Sequence, residues 1–151
     1  MALRQTGGIL EGLEISSSGL SAERIRMNVI SSNLANANTT RTEEGGPYKR
    51  KDVVFSARNT GVNFDNLMRL AFDNNLKEVK VDGIIEDQKA PKMIFNPNHP
   101  DANAAGYVAM PNISVMEEMV NMITSNRNFE SDTQAIQATK SMATTAISIG
   151  R

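Results

Sequence analysis

His99 is the only histidine of the chain, and Asp101 stands two residues after it in NPNHPDAN. An imidazole beside a carboxylate is what a metal ligand, or a general base with its orienting partner, requires. Such a site also needs further convergent groups, and none at recognisable spacing accompanies His99. It therefore reads as a loop-fixing or exposed residue. Glu117 and Glu118 are adjacent carboxylates, but neighbours on a helix point about 100° apart and do not share a site. Acids in a first helical turn are already explained by the helix dipole. Lys49-Arg50-Lys51, beside Tyr48, has no second basic cluster with which to form a nucleic-acid surface, so it reads as a solvated or partner-facing edge. Gly45-Gly46 lacks the strand–loop–helix context and the Lys-Ser/Thr ending of a phosphate loop. There is no Cys, which excludes disulfides, thiolate metal sites and a cysteine nucleophile. No catalytic set, cofactor site or metal site emerges, and an enzyme is not expected.

The elements carrying these residues fall into three parts: 1–40, 41–110 and 111–151. In the first, Leu13, Leu20, Met27 and Leu34 recur every seven residues. Ile9, Ser16, Glu23 and Ile30 make a half-polar companion row, which is the spacing of a coiled-coil seam. The segment ends in NLANANTT, where Asn and Thr favour caps and turns over helix interior. In the third part Ser114 and Glu117 match a capping box. Val115, Met122, Phe129, Ile136 and Ala143 then recur every seven residues, with Met119, Asn126, Thr133, Lys140 and Ile147 as companions. A helix of about 35 residues would be ~50 Å long. The middle part opens with the turn signal Gly45-Gly46-Pro47. Strands are expected at Val53–Phe55, in EVKVDGIIEDQ with a turn or bulge at Asp82-Gly83, and at Met93–Phe95, before a Pro- and Asn-rich loop. A short helix is expected around 64–72.

The expected fold is thus mainly α with a small β insert: long terminal helices paired in a coiled-coil-like bundle, crowned by a β-rich middle domain. Aromatic residues are only 5% of the 151, a thin payload for a compact core, while 9 Met suit adaptable helix contacts. A formal charge of −1 argues against nucleic acid or an anionic membrane surface as partner. MALRQTGGILEGLEISSSGLS has no continuous apolar run, so neither a cleavable signal peptide nor a membrane span is expected, and export would need another route. Met116, Val120 and Ile123 fall off the main seam and widen the apolar stripe beyond what one helix can cover, which calls for neighbouring molecules. A homo-oligomeric coiled coil displaying a small β-domain to a ligand is the competing architecture.

Specific strings narrow the choice. SSSGLSAERIRMNVISSNLANANTTRTEEGGPYKRKDVVF resembles the amino-terminal region of the bacterial flagellar axial family, the rod, hook and hook-associated proteins. Asn33, Ala35, Asn36 and Thr39 or Thr40 occupy that family's Asn-x-x-Asn-then-Thr ending. MPNISVMEEMVNMITSNRNFESDTQAIQATKSM looks like its carboxy-terminal helix, with Asn112, Val115, Glu117, Glu118, Met119, Arg127 and Phe129 on the motif. RTEEGGPYKRKDVVF and NPNHPDANAAGYVAMPNI resemble its proximal rod members, whereas residues 59–77 and SDTQA depart from the usual pattern. The resemblance implies a structural protein without cofactors. It implies export through the flagellar type III apparatus without a cleaved signal, and a place in the periplasmic rod of the basal body. Other proximal rod proteins, the hook–basal-body complex protein at the export gate and the distal rod would be its neighbours. On this reading Leu13, Leu20, Met27, Ile30, Leu34, Val115, Met119, Met122, Phe129, Ile136 and Ala143 form the assembly seam. Polar groups within a seam fix register, which is the role expected of Asn33, Asn36, Thr39 and Asn126.

Overall fold

The computed structural model describes residues 3–59 and 77–150, with side chains described over 12–57 and 77–150. The elements are α1 (Leu3–Ala35), β1 (Lys51–Asn59), β2 (Lys77–Glu86), β3 (Lys92–Phe95), β4 (Tyr107–Met110) and α2 (Val115–Ile149). The fold is mainly α with two small antiparallel sheets, β1–β2 and β3–β4. The short helix expected around 64–72 lies outside the described residues.

Both helices end where side-chain chemistry dictates. The Asn36 side chain donates to Ser32 O at 2.9 Å, the carbonyl that also accepts the Asn36 backbone N–H at 3.1 Å, so both bonds close the last turn of the helix. Thr39 donates its backbone N–H to Asn36 O and its hydroxyl to Asn36 Oδ1, which folds the chain out of the helix. At the start of α2, Ser114 Oγ accepts the Glu117 N–H at 3.4 Å.

The strands depart from expectation at two places. β2 runs through Asp82-Gly83 as one ten-residue strand. A two-residue hairpin turn there needs positive φ, and Gly83 is not among the glycines that adopt it. Asp82 instead accepts the Ser56 hydroxyl at 2.7 Å from across the sheet. The second departure is β4, which lies within what reads as loop. It pairs antiparallel with β3 in the register Lys92↔Met110 to Phe95↔Tyr107, and Phe95 meets Tyr107 edge to face at 5.3 Å. The connecting loop is held by its own polar groups. Asn103 Oδ1 accepts the Ala105 and Tyr107 N–H groups, and His99 Nδ1 accepts the Asp101 N–H at 3.1 Å. Gly106 closes the loop at φ 79°, where an added Cβ would lie 2.8 Å from the Phe95 ring.

The chain forms two compact units. One comprises Ile25–Val54 and Gly83–Ser125; the other comprises Met1–Arg24, Phe55–Asp82 and Asn126–Arg151. The first contains the buried apolar residues Val29, Ile30, Ala37, Val53, Val108 and Ile113, and the buried polar residues Asn33, Glu118 and Ser125. In the second, Ala22 is the buried residue among those described. There α1 and α2 meet at Glu23, which accepts from Asn128 Nδ2 at 3.0 Å, and at Gly19, which faces the Asp132 carboxylate. Four residues back on one helix match four forward on the other, so the helices run antiparallel at these contacts.

Burial along the helices corrects the expected companion rows. Met122, Phe129, Ile136 and Ala143 are half-buried, but the row beside them is Glu118, Ser125, Asp132 and Thr139. Asn126 and Lys140 of the expected companion row are exposed, as is Ile147 at 66%. Leu13, Leu20, Met27 and Leu34 are half-buried flanks, while Ala22, Val29, Ile30 and Asn33 are buried. Apolar periodicity assigns the centre of a seam to the largest residues. Here small and hydrogen-bonded side chains share the buried positions with Val29 and Ile30.

Candidate functional site

The most buried side chains form a polar cluster. Asn33 is fully buried, and Glu118 and Ser125 are 1% exposed. The last turn of α1 carries Asn33 to the beginning of β1. Its Nδ2 donates to Lys51 O at 2.8 Å, and its Oδ1 accepts the Lys51 N–H at 2.9 Å. The side-chain amide therefore pairs with Lys51 as a neighbouring strand would. Two directions remain on that amide, and both are used: Tyr48 donates its hydroxyl to Oδ1 at 3.2 Å, and Nδ2 donates to Glu118 Oε2 at 3.2 Å. This is the full hydrogen-bonding capacity of an asparagine side chain.

Glu118 comes from the first turn of α2. Its second oxygen, Oε1, accepts from Arg50 Nε at 2.9 Å, and Arg50 Nη1 reaches Asp52 at 3.0 Å. The Arg50 side chain is 23% exposed. Burial works against its charge, but the hydrogen bonds and charges of Asp52 and Glu118 outweigh that cost and raise its pKa above the ordinary value. The chain on either side of Arg50 is also fixed: Tyr48 N–H donates to Thr39 O at 3.1 Å and Asp87 N–H to Arg50 O at 2.7 Å. Both Glu118 oxygens are engaged, so the arrangement fastens the end of α1, the start of β1 and the start of α2 together. Among the described residues, no group of three or more His, Asp or Glu is placed to hold a metal ion.

Two sequence expectations change here. Arg50 is not a free edge cation but the counter-charge of a buried carboxylate. Lys49 and Lys51 keep the surface character, Lys49 facing Glu86 at 3.8 Å and Lys51 lying 5.9 Å over the Tyr48 ring. Glu118 is not explained by the helix dipole, which suits the exposed Glu117. The available signal was its place seven residues before Ser125 on the inner row. The expected polar register set divides as well. Asn33 is central, Asn36 and Thr39 form the helix end, and Asn126 sits on the exposed face bonded to Glu130 at 3.1 Å. Of the expected seam, Ile30 is buried, whereas Val115 at 41% and Met119 at 46% are exposed.

Residues 13–41 match the family model described as flagella basal body rod protein. Residues 104–149 match that of the flagellar basal body rod FlgEFG protein C-terminal region. Flagellar basal-body rod protein FlgC of Bacillus subtilis is 40% identical over 146 residues, spanning 92% of this chain and 96% of the relative. The chain belongs to the FlgC family of flagellar rod proteins. The FlgC protein of Borreliella burgdorferi is 36% identical, with 94% and 97% of the two chains covered. That of Aquifex aeolicus is 39% identical, with 87% and 90% covered. As a FlgC-type protein, the chain is a structural rod subunit of the flagellar basal body, not an enzyme. Both family-model matches include residues of the cluster: Asn33 lies in the first and Glu118 in the second.

Proposed function

We propose that this FlgC-type chain is a subunit of the proximal rod and joins its neighbours through α1 and α2 to build the helical shaft that transmits torque. Residues 1–40 and 111–151 would supply the inner assembly layer, and 41–110 the small domain outside it. The observation that carries this reading is the near full-length likeness to FlgC rod proteins, together with helix seams that remain half-covered. Leu13, Leu20, Met27, Leu34, Met122, Phe129, Ile136 and Ala143 all retain exposure in the single chain. Met116 at 73%, Val120 at 57% and Ile123 at 55% add an apolar stripe on α2. Contacts between different faces of successive copies do not close on themselves and therefore produce helical assemblies.

The neighbours on this reading are other proximal rod proteins, the hook–basal-body complex protein at the export gate and the distal rod. The route is type III export without a cleaved signal, and the final location is periplasmic. Asn33, Asn36 and Asn126 would hold register against sliding, Asn33 within its own chain and Asn126 from an outward face. Replacing Asn33 and Asn36 together by Ala should give cells with hook-less basal bodies and no motility. Full-length, motile flagella built from that variant would end the register role. Motility after deletion of the whole coding region would end the rod reading itself.

A further inference from the structure

We infer that Met116 is a modification site of the free subunit. A peroxide-class oxidant converts its thioether to the sulfoxide, which leaves the subunit folded but, on the reading of α2 as an assembly element, unable to join its neighbours.

Composition narrows the chemistry. The chain has no Cys and no Trp, and 9 Met. With no thiol to compete, the methionine sulfurs are the side-chain atoms most open to two-electron oxidation. Hydrogen peroxide passes one oxygen atom to Sδ of the thioether: the O–O bond breaks, an S–O bond forms, and water leaves. The sulfur gives up two electrons and the peroxide takes them. The oxidant must reach the sulfur, so exposure decides which methionine reacts first. Among the described residues Met116 is the most exposed methionine at 73%, ahead of Met142 at 60%, Met93 at 54% and Met119 at 46%. Met27, Met110 and Met122 are half-buried.

The place of Met116 on the helix determines what its oxidation does. At about 100° per residue, Met116 lies about 200° from Glu118 and about 180° from Ser125 around α2. Both of those residues are buried, and Glu118 fastens the start of α2 to Asn33 and Arg50. An oxygen added on the opposite face leaves that cluster undisturbed. Val120 and Ile123, four and seven residues on, share the face of Met116 and are 57% and 55% exposed. A sulfoxide there replaces a flexible apolar side chain by a polar one in the middle of an apolar stripe. Covering it with a neighbour's apolar surface strips its oxygen of the hydrogen bonds it makes in water, which opposes the contact. The change is reversible, because a sulfoxide reductase that oxidises a dithiol to a disulfide restores the thioether and releases the oxygen as water. Oxidation at Met116 thus holds back free subunits and is undone without unfolding them.

Peroxide treatment of the purified full-length monomer, read by peptide mass spectrometry, tests the site. Met116 should take up oxygen at least about fivefold faster than Met27, Met110 and Met122. In a chain carrying Met93→Leu, Met119→Leu and Met142→Leu, oxidation of Met116 should leave the urea midpoint unchanged. Uptake no faster than at Met122, or a lowered midpoint, would overturn the inference. The hold on assembly is tested in cells whose only copy is a variant. Met116→Leu keeps an apolar side chain that peroxide cannot oxidise, and these cells should swim. Met116→Gln fixes a polar side chain of similar length, and these cells should carry at least about tenfold fewer hooks. Equal motility of the two strains, whether both swim or neither does, would overturn the hold on assembly. The rod reading is tested separately, by deletion of the whole coding region.

Discussion

Asn33 has four hydrogen-bonding directions and uses all four, two of them on the backbone of a single residue, Lys51. Asn33→Ala removes all four at once. It leaves a strand N–H and C=O, a tyrosine hydroxyl and one carboxylate oxygen to find new partners, at a cost of about 2–4 kcal/mol. Arg50→Ala leaves Glu118 buried without its counter-charge. The expected loss is about 3 kcal/mol, the low end for breaking a buried pair, because the arginine side chain keeps 23% exposure. Chemical denaturation of the monomer measures both, and a loss below about 1 kcal/mol for either would deny the cluster its structural role. Asn33 was conspicuous in NLANANTT because an asparagine is out of place in an apolar row. Glu118 was hidden, because an acid in a first helical turn already has a sufficient local explanation in the dipole. Local rules could not pair it with Arg50, 68 residues earlier.

At the scale of elements, the two long helices are legible from heptad spacing, and their ends from Ser114, Asn36 and Thr39. The rotation of each helix about its axis is less legible. Periodicity places large apolar residues innermost, but Ala22, Asn33 and Ser125 are buried as deeply as Val29 and Ile30. One consequence is electrostatic. Asp132 lies on the inner row opposite Gly19, and burial, with Glu23 as a nearby like charge, raises its carboxyl pKa above 3.8. A raised carboxyl pKa means that the ordered form prefers the protonated acid. The contribution to stability is therefore fullest below the ordinary pKa and is lost as pH rises through the raised one. Asp132→Asn should accordingly increase helix content at about pH 7, and the gain over the unmodified chain should vanish at about pH 3. Circular dichroism at the two pH values tests this, and a gain of equal size at both would contradict it.

For the whole molecule, a chain that completes only part of its own packing should remain single until it meets a partner surface. Purified alone, it should sediment as a monomer. A discrete, stable dimer or trimer would instead favour a self-contained coiled-coil module displaying its β-domain. The two-helix, small-sheet plan was readable because it depends on periodicity and turn residues. The strand β4 was missed because only Tyr107 and Val108 in its short span mark it as strand. The continuity of β2 through Asp82-Gly83 was missed because Asp-Gly is so strong a turn signal elsewhere. The grip of Asn33 on Lys51 has one last consequence for how such a molecule can vary. Since the amide reads only the N–H and C=O at position 51, it is indifferent to which side chain stands there. Nineteen residue types can present that pair of groups, and proline alone, lacking the N–H, cannot. The side chain at position 51 is thus left open to evolutionary drift, while the joint beneath it stays the same.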